Sequence, residues 1–296
     1  MAERGLFING IVFIALCIIW GSSFILMKEG ITHLSAYQVA TIRILSAGLV
    51  LLPVAIQQWK NIPLNKLGYV FLSGVLGSFF PAYLFCLAET KIDSSLAGFL
   101  NSLTPVFTIF TGLLFFGQVL QLHKLIGVAI AIGGMLVLLF AKGGVSMQFL
   151  SYASFALVAT VLYGFNINLV GRHLQQIPSL AVVAVSFALL LIPCFIILWA
   201  TGYFSLPLTQ KGILYSSGAS SVLGIMGTAV ATILFYILIK RAGGLFASMV
   251  TYGIPFIALS WGLLADERIN SWQIVALVII LCGVYITTRK KISNNK

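Results

Sequence analysis

A few side chains inside otherwise apolar runs have the chemistry to hold a small polar solute. Trp20 and Ser23 stand about one helical turn apart, as do Tyr163 and Asn166, so each pair shares a helix face. An aromatic ring beside a hydrogen-bonding group can stack on a solute and anchor it; the same pair can equally pack beside an interhelical hydrogen bond. Asn101 lies four residues before Pro105, and Thr251 four before Pro255. Proline removes a backbone donor and frees the carbonyl one turn earlier. The spacing therefore predicts freed carbonyls at Asn101 and Thr251, with Pro105 and Pro255 as kinks that gate a path or stay static. Thr228 repeats with Thr232 at a spacing of four, where each hydroxyl can line a cavity or bond back to its own helix. Tyr83 and Tyr252 are further candidate liners. Arg43 is the one base well inside an apolar run, roughly 10 Å from its nearer end at 1.5 Å per residue. It serves as a structural charge that snorkels outward, pairs with an acid such as Glu89, or meets carbonyls at a helix end. Asn168 falls nearly opposite Asn166 on the helix and reads as packing.

These groups bind; they do not make bonds. An enzyme needs a nucleophile, an acid–base pair or a metal cluster. His33, His123 and His173 fall in expected loops, and no acid lies deep in an apolar run. Cys17, Cys86, Cys194 and Cys282 stand singly without metal-ligand spacing, as buried small hydrophobes. Neither catalysis nor a cofactor is expected.

The elements that position these residues are apolar helices. Hydrophobic residues make up 60% of the 296-residue chain and charged residues 8%, against roughly 25% charged in soluble domains. The chain is therefore expected to be an all-α integral membrane protein. Its net charge of +11 is dispersed through short connections, a topology signal and not a nucleic-acid surface. Ten spans are expected, at 6–27, 36–57, 67–88, 94–116, 122–140, 149–171, 180–200, 213–239, 244–265 and 272–288. The first run resembles a signal peptide but lacks a small-x-small cleavage site, so it is expected to span. The fourth span is expected as one helix with two faces. Ala97, Asn101, Thr104, Pro105, Thr108 and Gly112 form the small, polar face, and Phe99, Leu103, Phe107, Phe110 and Leu114 the lipid face.

The chain repeats itself. At an offset of 150, Gly74, Gly77, Phe85, Ala97, Pro105 and Gly112 match Gly224, Gly227, Phe235, Ala247, Pro255 and Gly262. Near the start of each half the offset is closer to 143, pairing Trp20 with Tyr163 and Ser23 with Asn166. Five spans per repeat is odd, so the second copy enters the membrane upside down. Two inverted five-helix repeats, with a substrate site at mid-membrane, are a common transporter construction.

The motifs then resemble a known family. Trp20-Gly21-Ser22-Ser23-Phe24 looks like its first-helix signature, Ala40-Thr41-Ile42-Arg43 like its second-helix pattern, and the Pro105 and Pro255 helices end in similar turns, Phe116-Gly117-Gln118 and Ala265-Asp266-Glu267. The chain resembles the drug/metabolite transporter superfamily, EamA type. Gln118 departs from the pattern, which has a glutamate there. The resemblance implies repeats at 9–141 and 149–289, followed by a basic cytoplasmic tail at 290–296. It also implies a secondary transporter or facilitator in the cytoplasmic (inner) membrane that moves small polar metabolites, amino acids or their relatives, with export favoured over uptake. Lipid flippase or scramblase, and a non-transporting scaffold or sensor, are the alternatives. The expected partners are a small-molecule substrate and membrane lipid, not nucleic acid, with a proton left open as coupling ion. Small multidrug-resistance proteins, related by resemblance, use a first-helix glutamate; the run from Leu6 to Met27 has no acid, which argues against proton-for-cation exchange.

With both termini in the cytoplasm, eleven loop and tail bases lie inside and five outside. Single cysteines introduced as Asn294→Cys and Ser146→Cys, in a background lacking the four native cysteines, test this with an impermeant thiol reagent on intact cells. Position 146 is expected to label and position 294 to stay protected; the reverse pattern inverts the topology.

Overall fold

The computed structural model describes residues 2–92, 94–119, 121–141, 150–257 and 271–288. These residues form helices joined by short turns, with no strand among them. α1 (Ala2–Gly30) and α2 (Ala36–Gln58) are followed by α3 (Leu64–Gly74), a π-helical segment (Val75–Phe79) and α4 (Phe80–Glu89) in one continuous rod. α5 (Ser94–Asn101), α6 (Thr104–Phe116) and α7 (Leu122–Ala141) complete the first half. The second holds α8 (Leu150–His173), α9 (Ser179–Ala200) and α10 (Lys211–Val222), which runs through a π segment (Leu223–Val230) into α11 (Ala231–Ala242). After α12 (Gly244–Ser248) comes a 3-10 stretch (Met249–Gly253), and later α13 (Ser271–Thr288). Seven helical stretches among the described residues are long and apolar enough to cross a membrane. Three shorter apolar helices, Leu122–Val137, Gly244–Ile257 and Ile274–Thr287, stand where the fifth, ninth and tenth spans are expected.

Local chemistry sets the ends. Ser35 Oγ accepts from Gln38 N at 3.2 Å while Gln38 Oε1 accepts from Ser35 N at 3.0 Å, a capping box that starts α2. The Gln38 amide also donates to Thr201 O at 3.0 Å and ties the start of α2 to the end of α9. Gly117 takes a left-handed φ of 62° that stops α6. Contacts gather at two ends of the bundle. At one end Arg172 Nη1 donates to Phe116 O at 2.5 Å, Arg241 Nε to Asn9 Oδ1 at 2.9 Å, and Lys240 Nζ to Ile177 O. At the other end Ser216 Oγ donates to Glu29 O at 2.9 Å and Lys28 Nζ to Glu89 O at 3.4 Å.

The outside is apolar: Phe140 is 71% and Ile192 72% exposed. So much exposed hydrophobe suits lipid. Small residues let backbones close on one another where helix meets helix. α13 lies along α7, and a Cβ at Gly283 would come within 2.5 Å of both Ala131 N and Gly127 O.

The fourth expected span departs from the sequence reading. It is not one helix: α5 stops at Asn101, Ser102 and Leu103 form a turn, and α6 restarts with Pro105 in its first turn, where a missing N–H costs nothing. The small, polar face is buried at Asn101, Thr104 and Thr108. Of the expected lipid face, Phe110 and Leu114 are 57% and 61% exposed, while Phe99, Leu103 and Phe107 are half-buried, Phe99 against the cluster around α7. His123 lies in the first turn of α7 and His173 ends α8, so neither sits in a loop, and Cys282 is exposed on α13. Gly262, the turn at Ala265-Asp266-Glu267 and the tail at 290–296 lie outside the described residues.

Gly283→Leu drives a side chain into backbone atoms, so a loss of roughly 1–3 kcal/mol is expected. Thermal unfolding in detergent should show a lowered midpoint for Gly283→Leu and none for Gly133→Leu, whose Cβ direction is open. Equal midpoints would mean that the α7–α13 seam is slack.

Candidate functional site

Among the described residues four places interrupt the regular helices: the two π segments, the turn between α5 and α6, and the 3-10 stretch before Pro255. All four reach one cavity. Gly77 and Ser78 come from the first π segment, Gly227 and Thr228 from the second, Asn101 and Thr104 from the α5–α6 break, and Thr251 from the 3-10 stretch. α1 adds Trp20, Ser23, Phe24 and Met27 from one face, and α8 adds Tyr163, Asn166 and Ile167. The space measures about 780 Å³, its open mouth included.

Two sets of contacts across this cavity mirror one another. Trp20 meets Phe235 edge-on with centroids 4.9 Å apart; Tyr163 meets Phe85 at 6.0 Å, nearly parallel. A Cβ at Gly227 would lie 2.5 Å from Ser23 Oγ, and one at Gly77 would lie 2.2 Å from Asn166 Nδ2. These are the positions that the offsets of 143 and 150 pair in sequence. Glycine is required at both, because only a bare backbone lets the polar side chain of the facing helix fit. Trp20 Nε1 also donates to Gly227 O at 3.0 Å, using a carbonyl in the π segment.

The polar groups divide by what they can still do. Ser23 Oγ donates to Ile19 O at 2.8 Å, Thr104 Oγ1 to Asn101 O at 2.5 Å, and Thr251 Oγ1 to Ser248 O at 2.9 Å. Each hydroxyl proton is thus held by its own chain, and the oxygen retains only acceptor capacity. Asn166 Nδ2 donates to the Tyr236 hydroxyl at 3.0 Å, which faces Ser73 O at 3.4 Å. Among the described residues Arg43 supplies the only charge on the wall: its Nε donates to Thr228 Oγ1 at 2.6 Å. The site can stack on a small solute and hydrogen-bond it, with one cation and no carboxylate among the described residues of its wall.

Of the residues expected from sequence, the structure brings Trp20, Ser23, Asn101, Tyr163, Asn166, Thr228 and Thr251 together, and adds Arg43 to the same wall. Arg43 is half-buried and bonded to Thr228, and it reaches Glu89 only through a longer-range electrostatic interaction. Tyr83 and Tyr252 are not on the wall. The Tyr83 hydroxyl lies 2.7 Å from Thr41 Oγ1, and Tyr252 packs in the cluster around α7 and α13. Pro105 and Pro255 are buried and not on the wall; Pro105 follows the wall residue Thr104, and Pro255 lies four residues after Thr251. The carbonyl expected to be free at Asn101 is taken by the Thr104 hydroxyl. Glu89 ends α4 with 0% exposure, its Oε1 has no partner, and Ser94 Oγ stands 3.5 Å from Oε2. Sequence reasoning passed over Phe24, Met27, Phe85, Phe235 and Tyr236. Helical spacing from Trp20 could have found the first two, and the matched phenylalanines the next two.

Comparisons with known proteins agree with this architecture. The profile of the EamA-like transporter family matches residues 8–140 and again 150–289. A probable amino-acid metabolite efflux pump of Escherichia coli strain K12 is 27% identical over 293 residues, covering 94% of each chain. An uncharacterized inner membrane transporter of the same strain is 25% identical over 286 residues, covering 94% of this chain and 89% of its own. A solved crystal structure superposes with a TM-score of 0.71 at 15% identity, over 95% of this chain and 96% of that one; that likeness concerns the fold alone.

Asn168 faces away from the cavity into the α6–α8 contact. Its Nδ2 lies within 2.8 Å of Thr108 O and of Thr111 Oγ1, and its Oδ1 accepts from Gln118 Nε2 at 2.8 Å. Asn168→Leu strands these buried partners at about 1–3 kcal/mol per group. It should lower the thermal midpoint well below that of Asn101→Leu, whose carboxamide makes one long contact at 3.4 Å. A midpoint for Asn168→Leu equal to wild type would remove this network from the fold's support.

Proposed function

The chain belongs to the EamA-like transporter family, and we propose that it works as a secondary transporter or facilitator that exports small polar metabolites, amino acids or their relatives, by alternating access. As a family member it is a membrane transporter and not an enzyme. The observation that carries the finer reading is the convergence of all four helix irregularities on one polar, aromatic-walled cavity. In lipid, irregular backbone is tolerated only where protein or a water-filled cavity covers it, and transporters place such irregularities at the substrate site. The named function of the 27% identical relative supports amino acids as the cargo.

The same reading gives the chain ten crossings in two inverted repeats, 9–141 and 149–289, with both termini and the tail at 290–296 in the cytoplasm. The mirrored contacts, Trp20 with Phe235 against Tyr163 with Phe85, support a twofold relation between the halves. Lys66, Arg172, Lys240 and Arg241 give the end that faces the cytoplasm its bases. Rocking of one half on the other would open the cavity to each side in turn. Pro105 and Pro255 stand where α6 and its counterpart restart, and they set the bends about which this motion turns.

Counterflow of radiolabelled L-amino acids in proteoliposomes, run with and without a proton gradient, tests the proposal. Wild-type protein is expected to exchange at least one of them, and Asn101→Leu and Thr251→Val to weaken its apparent affinity about five- to 150-fold, the range for one lost polar contact. Wild-type exchange that both substitutions leave intact would place the substrate elsewhere.

A further inference from the structure

Among the described residues Arg43 is the only charged side chain on the cavity wall, and its surroundings fix how it can be used. It lies well inside α2, on the eighth residue of that helix. Its Nε donates to Thr228 Oγ1 at 2.6 Å, and the Thr228 hydroxyl in turn donates to Leu223 O at 3.3 Å. Thr228 therefore spends its proton on the carbonyl of its own π segment and offers its lone pair to the arginine. The hydrogen bond at Nε orients the guanidinium plane and leaves the edge formed by the two terminal nitrogens. That edge is the fork that matches a carboxylate with two parallel hydrogen bonds. Among the described residues no carboxylate forms an ion pair with Arg43 within 4.0 Å. Glu89, buried at the end of α4, acts on Arg43 only at longer range, so the cation keeps a guanidinium edge for an anion that arrives from outside.

On the reading of this cavity as the transport site, we infer that Arg43 binds the carboxylate of the substrate and that Thr228 positions Arg43 for that contact. The substrate class is a small metabolite with a free carboxylate on a compact body. If it is an α-amino acid, the other end is provided for as well. Ser23, Thr104 and Thr251 present oxygens whose own protons are already committed, which suits the N–H groups of an ammonium. Trp20 and Tyr163 supply ring faces, which also attract a cation. Amines without a carboxylate meet the same acceptors and rings but forgo the Arg43 contact and face its repulsion.

The test uses matched trios: L-leucine, L-leucinamide and isoamylamine, then L-phenylalanine, its amide and phenethylamine. Each compound is measured as a radiolabelled counterflow substrate and as a ligand that raises the thermal midpoint, with purified full-length wild type, Arg43→Lys, Arg43→Gln and Thr228→Val. Wild type is expected to favour the acid over its amide by at least about tenfold, the effect of a charge-assisted bidentate contact. Arg43→Gln should erase that preference while keeping the folded elution profile and unliganded midpoint. Arg43→Lys should keep part of the preference, since it retains charge without the fork, and Thr228→Val should lose several-fold in acid affinity but not in amide affinity. Equal handling of acid and amide by wild type, or an unchanged preference in Arg43→Gln, would overturn the role of Arg43 and leave transport standing. If Arg43→Gln fails to fold, the Arg43→Lys and Thr228→Val ratios decide, and wild-type ratios in both overturn the inference. No movement and no stabilisation by any of the six compounds in wild type would sink the amino-acid reading, and this inference with it.

Discussion

Lipid offers no hydrogen bonds, so a chain that leaves regular helix inside a membrane must cover the exposed backbone with protein. That constraint orders this structure. The carbonyl of Asn101, left behind where Pro105 breaks the helix, is closed by Thr104 Oγ1 at 2.5 Å. The carbonyl of Gly227, in a π segment, accepts from Trp20 Nε1 at 3.0 Å. Leu223 O accepts from Thr228, which then holds Arg43. The side chains that satisfy the irregular backbone are thus the ones that wall the cavity. Structure and binding surface arise from the same hydrogen bonds, and a change to either disturbs both.

Glycine decides how closely the walls approach. Gly77 and Gly227 sit where any side chain would collide with Asn166 and Ser23. Along the α7–α13 seam, Gly283 plays a purely structural version of this part. The difference lies in what faces the bare backbone: backbone across the seam, and polar side chains around the cavity. Aromatic rings fill the rest, with Trp20 on Phe235 and Tyr163 near Phe85. A carboxamide or hydroxyl held between a ring and a glycine has few alternative positions, so these groups are fixed before a substrate arrives.

Much of this was legible in the sequence, for physical reasons. Trp20 with Ser23 and Tyr163 with Asn166 were found because helical spacing is fixed and these residues are conspicuous in apolar runs. The matched glycines and prolines carried the duplication because each answers a backbone need. The π segments were not legible, since their hydrogen-bond register leaves no residue signature beyond Gly77 and Gly227. The break after Asn101 was read as a kink because Pro105 tells where regularity fails and not how far. Glu89 entered the reading only as a partner for Arg43, and spacing does not reveal that packing of the neighbouring helices buries it completely. Tyr83 and Tyr252 point into packed helix contacts, a choice set by tertiary geometry that spacing does not encode. Arg43 was found as a charge in the wrong place, and only Thr228 opposite it revealed which way it faces.

The central claim is that this cavity holds the transported solute, and site-directed protection measures that directly. Thr232 lines the cavity without belonging to the Arg43–Thr228 contact. With the native cysteines replaced, Thr232→Cys in membrane vesicles should react with a small methanethiosulfonate. An L-amino acid that the protein exchanges should slow that reaction about tenfold or more at concentrations that saturate exchange, while Ser205→Cys, on an exposed connection, reacts at an unchanged rate. A Thr232→Cys rate that saturating substrate leaves unaltered would contradict the account.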